Sequence, residues 1–439
     1  MPSISQRRDD PGPAGLRLAA RAVAGRRGPR GLRVRWRMVE CLGVGLALFM
    51  QTGAVTVLAF TDSAGNLVPG GPRALQALTL PGYLITLALV ARHPRQLLVA
   101  LRRNPWVVVL LGLVVASVAW SISPSVSARR GFALIMSMLL AYLIAIRFTP
   151  RQFLVLVVLL SGVCMGLSLF LAVVVPGWAM MPDGETLRGV FNHKNVLGWN
   201  AAIATLAAGA LAADRTAGMR RTAVLVLVAS LACLVLSGSA TGLVTAGSAG
   251  LFALFYALLA RLRGAGRIVL VLLAVQATAL IMMTVEPLVG AVAQGTGKDV
   301  SLTGRVPLWA LVDEAILRRP LLGYGYQAFW TDGSGAAWSI WTRIGWPAPH
   351  AHNGFRDAAL SIGLVGAAVL VVVILRAIRD GASLHCRYPR KHWLWLNVVI
   401  CVTLVMNMTE STLLGANSFL LTIFMAAVLM IALRSPPAR

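Results

Sequence analysis

The sequence predicts an all-α polytopic membrane protein with about twelve transmembrane helices. Hydrophobic residues form 58% of the 439-residue chain and charged residues only 13%, which is too little charge to cover a soluble domain of this size. Apolar stretches of about 17 residues or more recur throughout, and each can cross a hydrocarbon layer of about 30 Å as a helix. The stretches do not alternate apolar and polar residues, as the strands of an outer-membrane barrel do, so the predicted spans are helices.

The predicted transmembrane domain covers residues 38–433. Its spans are 38–60, 76–91, 105–121, 131–147, 152–175, 195–213, 222–237, 240–260, 267–285, 356–375, 392–408 and 413–433. Twelve spans place both termini on one side of the membrane. Residues 1–37, rich in Arg, Gly and Pro, are predicted to be a disordered tail, and residues 434–439 form a second short tail.

Most of the 40 basic residues fall in the two tails and in the loops on the same side. This positive-inside bias predicts a multi-pass protein of the bacterial inner membrane with cytoplasmic termini. The net charge of +25 therefore indicates topology and attraction to anionic lipids, and no nucleic-acid partner is expected. The paired arginines near the N-terminus also suggest a twin-arginine export signal, but the following apolar segment is too long for one.

The five cysteines lie in predicted spans or in a cytoplasmic loop, so neither a structural disulfide nor a cysteine zinc site is expected. Two extracytoplasmic loops are long, at 176–195 and 286–355. The second contains five of the twelve tryptophans and a predicted helix at 306–318, with Pro307 in its first turn. Long loops between tightly connected spans usually carry function.

The loop at 176–195 ends in a polar cluster immediately before a span. Arg188 and Lys194 are cationic, and His193 and Asn195 add further polar groups beside them. Arginine offers a planar fork of donors to phosphate oxygens, and the first turn of a helix directs backbone N–H groups toward an anion. The cluster predicts an anion-binding site; the alternative is a loop that is merely polar.

The loop at 286–355 contributes two weaker motifs. Arg305 follows Thr303-Gly304 and is a second candidate for binding phosphate, or else a solvated arginine in a helix first turn. Tyr324 belongs to the run Gly323-Tyr-Gly-Tyr326, where aromatic rings beside glycine suit stacking on a sugar or a lipid. The alternative is an interfacial turn anchored by aromatic side chains.

Two further motifs combine histidine with a carboxylate. His350 and His352 precede Asn353 and a span, and histidine exchanges a proton near neutral pH. Glu410 lies at the outer end of the next span, where an acid is usually functional, and it is expected to pair with an outer arginine or to orient a histidine. A metal held by the two histidines, or a purely structural role, is the alternative; no metal is predicted because acidic co-ligands are scarce.

Together these stretches resemble the O-antigen ligase and Wzy-type polymerase superfamily, and in particular its exopolysaccharide-polymerase branch. Five blocks in the family's order carry the resemblance: 188–198 (RGVFNHKNVLG), 301–309 (SLTGRVPLW), 323–330 (GYGYQAFW), 352–366 (HNGFRDAALSIGLVG) and 409–413 (TESTL). The first five spans resemble the family only in hydropathy.

The resemblance implies a GT-C-like fold with its large periplasmic loop between spans nine and ten. It also implies an inverting transfer of a glycan from undecaprenyl pyrophosphate to a glycan or lipid acceptor, without metal, nucleotide sugar or cofactor. His352 would act as base or acceptor positioner together with Glu410. The implied substrate-binding residues are Arg188, His193, Lys194, Asn195, Arg305, Asn353 and Tyr324. Membrane lipids, a flippase and a chain-length regulator are the other partners that it implies.

One position departs from the family pattern. The turn Ser237-Gly-Ser-Ala240-Thr241 has alanine where the family often has a basic residue, so one phosphate contact is absent or comes from Lys194. A polymerase is favoured, while a ligase for lipid A core or protein stays open. A transporter of lipid-linked oligosaccharides and a non-catalytic scaffold are alternatives from other classes; a transporter would place its polar residues nearer the bilayer midplane.

Overall fold

The computed structural model describes residues 30–60, 71–182, 184–214, 218–278, 280 and 305–436. The described residues are almost entirely helical, apart from one isolated bridge between Met180 and Leu187. The helices are α1 Arg30–Met50, α2 Ala54–Phe60, α3 Gly71–Val90, α4 Pro94–Arg103, α5 Pro105–Ala116, α6 Pro124–Arg147, α7 Pro150–Val174, α8 Lys194–Ala213, α9 Arg220–Leu236, α10 Ala240–Arg261, α11 Ala265–Thr278, α12 Arg305–Arg318, α13 Gly335–Ile344, α14 Gly354–Arg387, α15 Trp393–Met406 and α16 Phe419–Arg434.

The chain divides into two compact units. Of the described residues, 30–42 and 436 belong to the first, and the others belong to the second, which contains all the packing described below. Within the predicted disordered tail at 1–37, residues 30–37 are the start of α1, and residues 1–29 lie outside the described residues. The end of the second predicted tail, 437–439, also lies outside them.

Five single helices are long and apolar enough to cross a membrane: α6, α7, α8, α10 and α14. Two bent pairs raise the number to seven if each pair is one span, with a bend of 58° between α1 and α2 and of 94° between α3 and α4. Helices α5, α11, α15 and α16 are shorter and apolar. The chain is therefore an all-α, multi-pass membrane protein, and the number twelve stays a prediction.

Several predicted spans have different bounds in the structure. The predicted span 38–60 is broken between α1 and α2, and 356–375 continues as α14 to Arg387. The last span begins at Phe419 and not at 413, because the Asn407 side chain turns the backbone first. Its Oδ1 accepts the amide N–H groups of Thr412 and Leu413, at 2.8 and 3.0 Å. Such side-chain bonds compete with helical ones.

Helix α16 forms the centre of the bundle. It is buried along almost its whole length and packs against α6, α14 and α15. Peripheral helices instead expose large apolar side chains, such as Val173, Leu225 and Leu251. Extensive apolar exposure of this kind is costly in water and suits contact with lipid tails.

Helix α14 is interrupted at Ile362 and Gly363, where Gly363 has φ of +68°. The segment 320–324 fills the break: Leu364 N–H donates to Pro320 O, and Tyr324 N–H donates to Leu360 O, both at 2.7 Å. A Cβ on Gly363 would lie 2.0 Å from Leu321 O, so only glycine fits. The freed backbone groups of the helix are thus satisfied by protein, as an apolar environment requires.

The predicted loop 286–355 is described from Arg305 onward. The predicted helix at 306–318 is present as α12, and a second helix, α13, was not foreseen. Apolar side chains of both helices form a small core with Tyr324, Phe329 and the start of α14. This segment is therefore a folded layer over one end of the bundle.

Candidate functional site

Three of the predicted site residues meet where α14 begins and α15 ends. Glu410 Oε1 accepts from Arg305 Nη2 at 3.0 Å, and Glu410 Oε2 lies 3.5 Å from His352 Nδ1. Glu410 and Arg305 are almost completely buried, with side-chain exposures of 1% and 7%, while His352 retains 17%. Arg305 Nη1 also donates to Thr409 O. We call Arg305, His352 and Glu410 the His352 network.

The His352 network is charged and only partly hydrogen-bonded. A buried carboxylate needs a partner charge, and Arg305 supplies it. His352 Nδ1 is buried, and its contact with Glu410 is an ion-pair distance without hydrogen-bond geometry; it has no hydrogen-bond partner among the described residues. Catalytic hydrogen bonds are often long before substrate binds. The arrangement suits a base whose protonated form is stabilised by the adjacent carboxylate.

Asn353 fixes the chain that carries His352. Its Oδ1 caps α14 by accepting the N–H groups of Phe355 and Arg356, both at 3.1 Å, and its Nδ2 donates to Met408 O at 3.2 Å. Asparagine is a favoured N-cap residue. Asn353 therefore positions the histidine and the 407–413 loop relative to each other, and its own amide group is occupied by protein.

Asp357 connects the same two segments from the next turn. Its carboxylate accepts from Ala351 N–H at 3.0 Å, from Trp330 Nε1 at 2.7 Å and from the Ser411 hydroxyl. Ala351 immediately precedes His352, and Ser411 immediately follows Glu410. No role for Asp357 was predicted from the sequence; the fold shows that it ties both halves of the His352 network together.

His352 itself has φ of +50°, in the left-handed region that a non-glycine residue occupies only when its surroundings enforce it. Its N–H donates to His350 Nδ1 at 3.2 Å, and the two ring centroids are 4.1 Å apart. Burial, followed by the neighbouring His352 and Arg305, lowers the pKa of His350 to about 3. His350 is therefore neutral near pH 7 and acts as an acceptor that holds the turn.

One atom each from His350, His352 and Glu410 lie within 4.8 Å of one another, which is close enough for a shared metal ion. Two features oppose a metal. The Arg305 guanidinium already occupies Glu410 Oε1, and a second cation there would be repelled. His350 Nδ1 already accepts the His352 N–H. The chemistry of this donor set fits an arginine-balanced carboxylate better than a metal centre.

The cluster at 188–195 lies on a neighbouring surface of the bundle. Arg188 is 5% exposed and donates from Nε and Nη2 to Trp178 O, at 3.2 and 2.9 Å. His193 is exposed and caps α8 by accepting the Asn195 N–H on Nδ1, at 3.2 Å. Lys194 and Asn195 are half-buried in the first turn of α8.

The turn between α9 and α10 joins this cluster to the His352 network. Leu187 N–H donates to Leu236 O at 2.9 Å on one side of the turn. On the other side, the hydroxyls of Thr241 and Thr409 are 3.1 Å apart, next to Glu410. This turn contains Ala240, at the position where the family often has a basic residue. In the sequence this turn differs from the family pattern at Ala240, but no feature of it predicted the contact with Thr409.

Tyr324 belongs to the small apolar core of the 305–355 layer. It is 5% exposed, its hydroxyl donates to Ala315 O at 2.9 Å, and Arg319 stacks on its ring at 5.0 Å. Burial raises the pKa of Tyr324, partly offset by the positive charge of Arg319. The structure therefore gives Tyr324 a place in the core of the 305–355 layer, with its hydroxyl group already bonded.

Contacts that the sequence did not predict also connect the 305–355 layer to the start of α14, next to His352. Arg356 makes a two-point bond to Asp313, at 2.8 and 2.9 Å, and lies 4.8 Å above the Trp309 ring. Trp309 Nε1 in turn donates to Ala351 O at 2.8 Å. The spacing of these residues in the chain gives no local signal for their pairing, because it depends on the packing of α12 against α14.

The fold and these contacts define a multi-pass α-helical membrane protein with a buried Arg–Glu–His cluster under a folded segment. A family model described as O-antigen ligase (Wzy_C) matches residues 225–371, which include His352 and α12. The exopolysaccharide production protein ExoQ of Rhizobium meliloti (strain 1021) is 30% identical over 321 residues, covering 69% of this chain and 71% of that protein. The chain belongs to the O-antigen ligase family.

Proposed function

We propose that the chain is an inverting glycosyltransferase that joins glycan repeats carried on undecaprenyl pyrophosphate. Membership of the O-antigen ligase family and the likeness to an exopolysaccharide production protein support a polymerase for a surface polysaccharide. The proposal includes a twelve-span GT-C-like topology in the bacterial inner membrane, with cytoplasmic termini and the 305–355 layer in the periplasm. The observation that carries it is the His352 network.

In the proposed step, the acceptor oxygen forms a bond to the anomeric carbon of the donor glycan. The bond from that carbon to the pyrophosphate oxygen breaks, and its electron pair leaves with the pyrophosphate. His352 takes the proton of the acceptor hydroxyl, and the adjacent Glu410 stabilises the imidazolium that forms. Attack from the face opposite the leaving group inverts the configuration.

The leaving pyrophosphate gathers negative charge, and Arg305 is proposed to stabilise it. Arg305 has five N–H donors and gives described bonds only to Glu410 and Thr409, so its charge is fixed in place with donors left over. A preorganised cation at the low-dielectric rim of a bundle stabilises developing charge effectively. Arg188 and Lys194 are proposed to hold the donor on the adjoining surface. A flippase, a chain-length regulator and membrane lipids remain proposed partners.

The test is His352→Ala in the native host, with His392→Ala as matched control. His392 also pairs with a carboxylate, but at the other end of α15. Surface polysaccharide is sized on a gel, and membrane fractions are blotted to check that each variant is present. We expect His352→Ala to lose long polymer and accumulate single lipid-linked repeats, while the control keeps its ladder.

The other outcomes separate the alternatives. Long polymer that stays on its lipid carrier and never reaches a final acceptor would replace the polymerase with a ligase. An unchanged ladder in His352→Ala, with the protein present in the membrane, would contradict a catalytic role for His352 and revive the transporter and scaffold readings.

A further inference from the structure

The five tryptophans of the 305–355 layer differ in the hydrogen bonding of their indole N–H groups. Four of the five donate their indole N–H to the protein: Trp309 to Ala351 O, Trp330 to Asp357, Trp338 to Asp332 O and Trp341 to Ala348 O, at 2.6 to 2.9 Å. Trp346 is the exception; among the described residues its indole N–H has no hydrogen-bond partner. Trp346 is also half-exposed, so its ring and its donor remain available to a ligand.

Trp346 lies directly beside the proposed base. Its ring centroid is 6.0 Å from that of His352, with an angle of 54° between the ring planes. It also packs against the apolar core of the layer, which supports one side of the indole. A group resting on the exposed part of Trp346 is therefore adjacent to His352.

The backbone around Trp346 is fixed before any ligand arrives. Gly345 ends α13 in the left-handed region, with φ of +80°, and its N–H donates to Trp341 O at 2.9 Å. Ala348 N–H then donates to Trp346 O at 3.0 Å, with Pro347 between them. A rigid aromatic side chain on a closed turn makes contacts at low cost in conformational entropy.

We propose that Trp346 is the stacking platform for a sugar ring of the substrate glycan, in the subsite next to His352. A pyranose ring has an apolar face of C–H groups that fits an indole, and ring hydroxyls that accept from its N–H. Aromatic surface with a few placed polar groups is the usual lining of a small-ligand site. This inference rests on the proposed function, because it assigns the substrate of the same site.

The sugar ring has two possible sources, the acceptor end of one glycan and the pyrophosphate-linked end of the other. The test uses the full chain in lipid nanodiscs, as wild type, Trp346→Ala, Trp346→Phe and Trp338→Ala. Trp338 is the matched control, since it lies in the same layer and is 52% exposed. Two substrates are titrated: the host's lipid-linked repeat as donor, and the lipid-free repeat, released by partial hydrolysis, as acceptor.

For Trp346→Ala we expect KM to rise about tenfold for one of the two substrates, the size of one lost aromatic contact, with a smaller change in kcat. A rise confined to the lipid-free repeat places the acceptor sugar on Trp346, and a rise confined to the lipid-linked repeat places the donor sugar there. Trp346→Phe keeps a ring and is expected to recover most of the loss. Trp338→Ala should match the wild type.

A binding measurement keeps this inference separate from the proposed reaction. The repeat that occupies Trp346 should quench tryptophan fluorescence in the wild type and quench it less in Trp346→Phe; this is the lipid-free repeat for the acceptor sugar and the lipid-linked repeat for the donor sugar. Such a difference supports the sugar subsite even if no transfer is detected, in which case the proposed function fails alone. Equal quenching of the two proteins by each of the two repeats, or a Trp346→Ala enzyme with unchanged KM values, overturns the subsite and leaves the proposed function standing. An equal loss in Trp346→Ala and Trp338→Ala also overturns it, since tryptophan anchors in the interface would act alike.

Discussion

Two carboxylates in this molecule each contact an arginine and a histidine, at opposite ends of helix α15. Glu410 contacts Arg305 and His352, as described above. Asp214 Oδ2 accepts from Arg151 Nε at 3.0 Å and lies 3.0 Å from His392 Nε2, and we call these three residues the Asp214 network. The same three types of side chain therefore occur twice, close to where the bundle ends.

The two networks differ in burial and in completeness. Arg151 is 41% exposed, whereas Arg305 is 7% exposed, so water screens the first charge and not the second. His392 is within hydrogen-bonding distance of its carboxylate, while the buried His352 Nδ1 lacks a hydrogen-bond partner among the residues described. The comparison teaches that residue types alone do not make a site. In the Asp214 network the histidine is hydrogen-bonded to the carboxylate and the three residues join helix ends, whereas in the His352 network the histidine still has a ring nitrogen that can accept a proton.

The largest expected difference between the two networks is in the free energy of unfolding that is lost when the arginine of each is replaced by alanine. Arg305→Ala leaves Glu410 buried without its charge partner and should cost about 3–5 kcal/mol. Arg151→Ala removes an arginine that is 41% exposed and leaves Asp214 its contact with His392, so it should cost about 1 kcal/mol or less. Unfolding of both purified variants in detergent, followed by circular dichroism, measures the difference. Arg305→Lys serves as the charge-retaining control. Equal losses for the two alanine variants would show that the networks are energetically alike.

A smaller effect is expected from Asp357, which positions the His352 network without belonging to it. Asp357→Asn puts an amide where three donors converge, and we expect kcat to fall about tenfold, the value of roughly 1.4 kcal/mol, with KM for the donor little changed. Asp380→Asn, in an exposed pair with Arg379, is the control. A change in KM without a change in kcat would assign Asp357 to binding.

The pH dependence distinguishes the three histidines. A catalytic base must be neutral, so the rate of transfer should fall on the acid side of the pH–rate profile, and only replacement of the base should change that limb. The pKa of His350 is lowered to about 3 by burial, so His350 stays neutral there and His350→Gln should keep the midpoint of the acid limb. His392→Gln should keep it too. A midpoint that moves with either variant would reassign the base.

The smallest effect should come from chelation. Because Arg305 already balances Glu410, we expect EDTA treatment of the purified enzyme, followed by removal of the chelator, to leave the rate of transfer unchanged. In the Asp214 network an arginine also balances the carboxylate, so EDTA should likewise leave the free energy of unfolding unchanged. A loss of activity that Mg²⁺ or Mn²⁺ restores would show that His350, His352 and Glu410 hold an ion.

The sequence could predict elements whose signals are local. Pro307 placed the start of α12 correctly, and Asn353 caps α14 immediately after His352. The bend between α3 and α4 also has a local signal in the sequence, because Pro94 disfavours a helical backbone conformation at His93. The predicted spans did not use this signal. Hydropathy could not locate the break after α15, because it gives no weight to one Asn407 side chain that closes a loop.

The candidate site was less predictable because it is assembled across the chain. Arg305 and Glu410 are 105 positions apart in sequence, and the expectation that Glu410 pairs with an outer arginine or orients a histidine did not specify that Arg305 is the arginine or that both contacts occur together. Trp346 looked like its four neighbours, since the hydrogen bonds that distinguish them depend on tertiary packing. The role of Asp357 had no local signal, because its bond to Ser411 crosses between α14 and the 407–413 loop.

The interrupted helix α14 also imposes an order of assembly on the fold. Segment 320–324 leaves the ribosome before α14, and its backbone groups bond to Leu360 and Leu364 only once α14 is present. The His352 network also depends on a later segment, because His352 is synthesised before Glu410 and can contact it only once Glu410 is present. A chain stopped before α15 would carry the histidine, the arginine and all five tryptophans of the layer without the carboxylate that joins them. The site is therefore assembled only after α15 and Glu410 have been synthesised, so a chain stopped earlier does not reach the arrangement proposed to act on lipid-linked glycan.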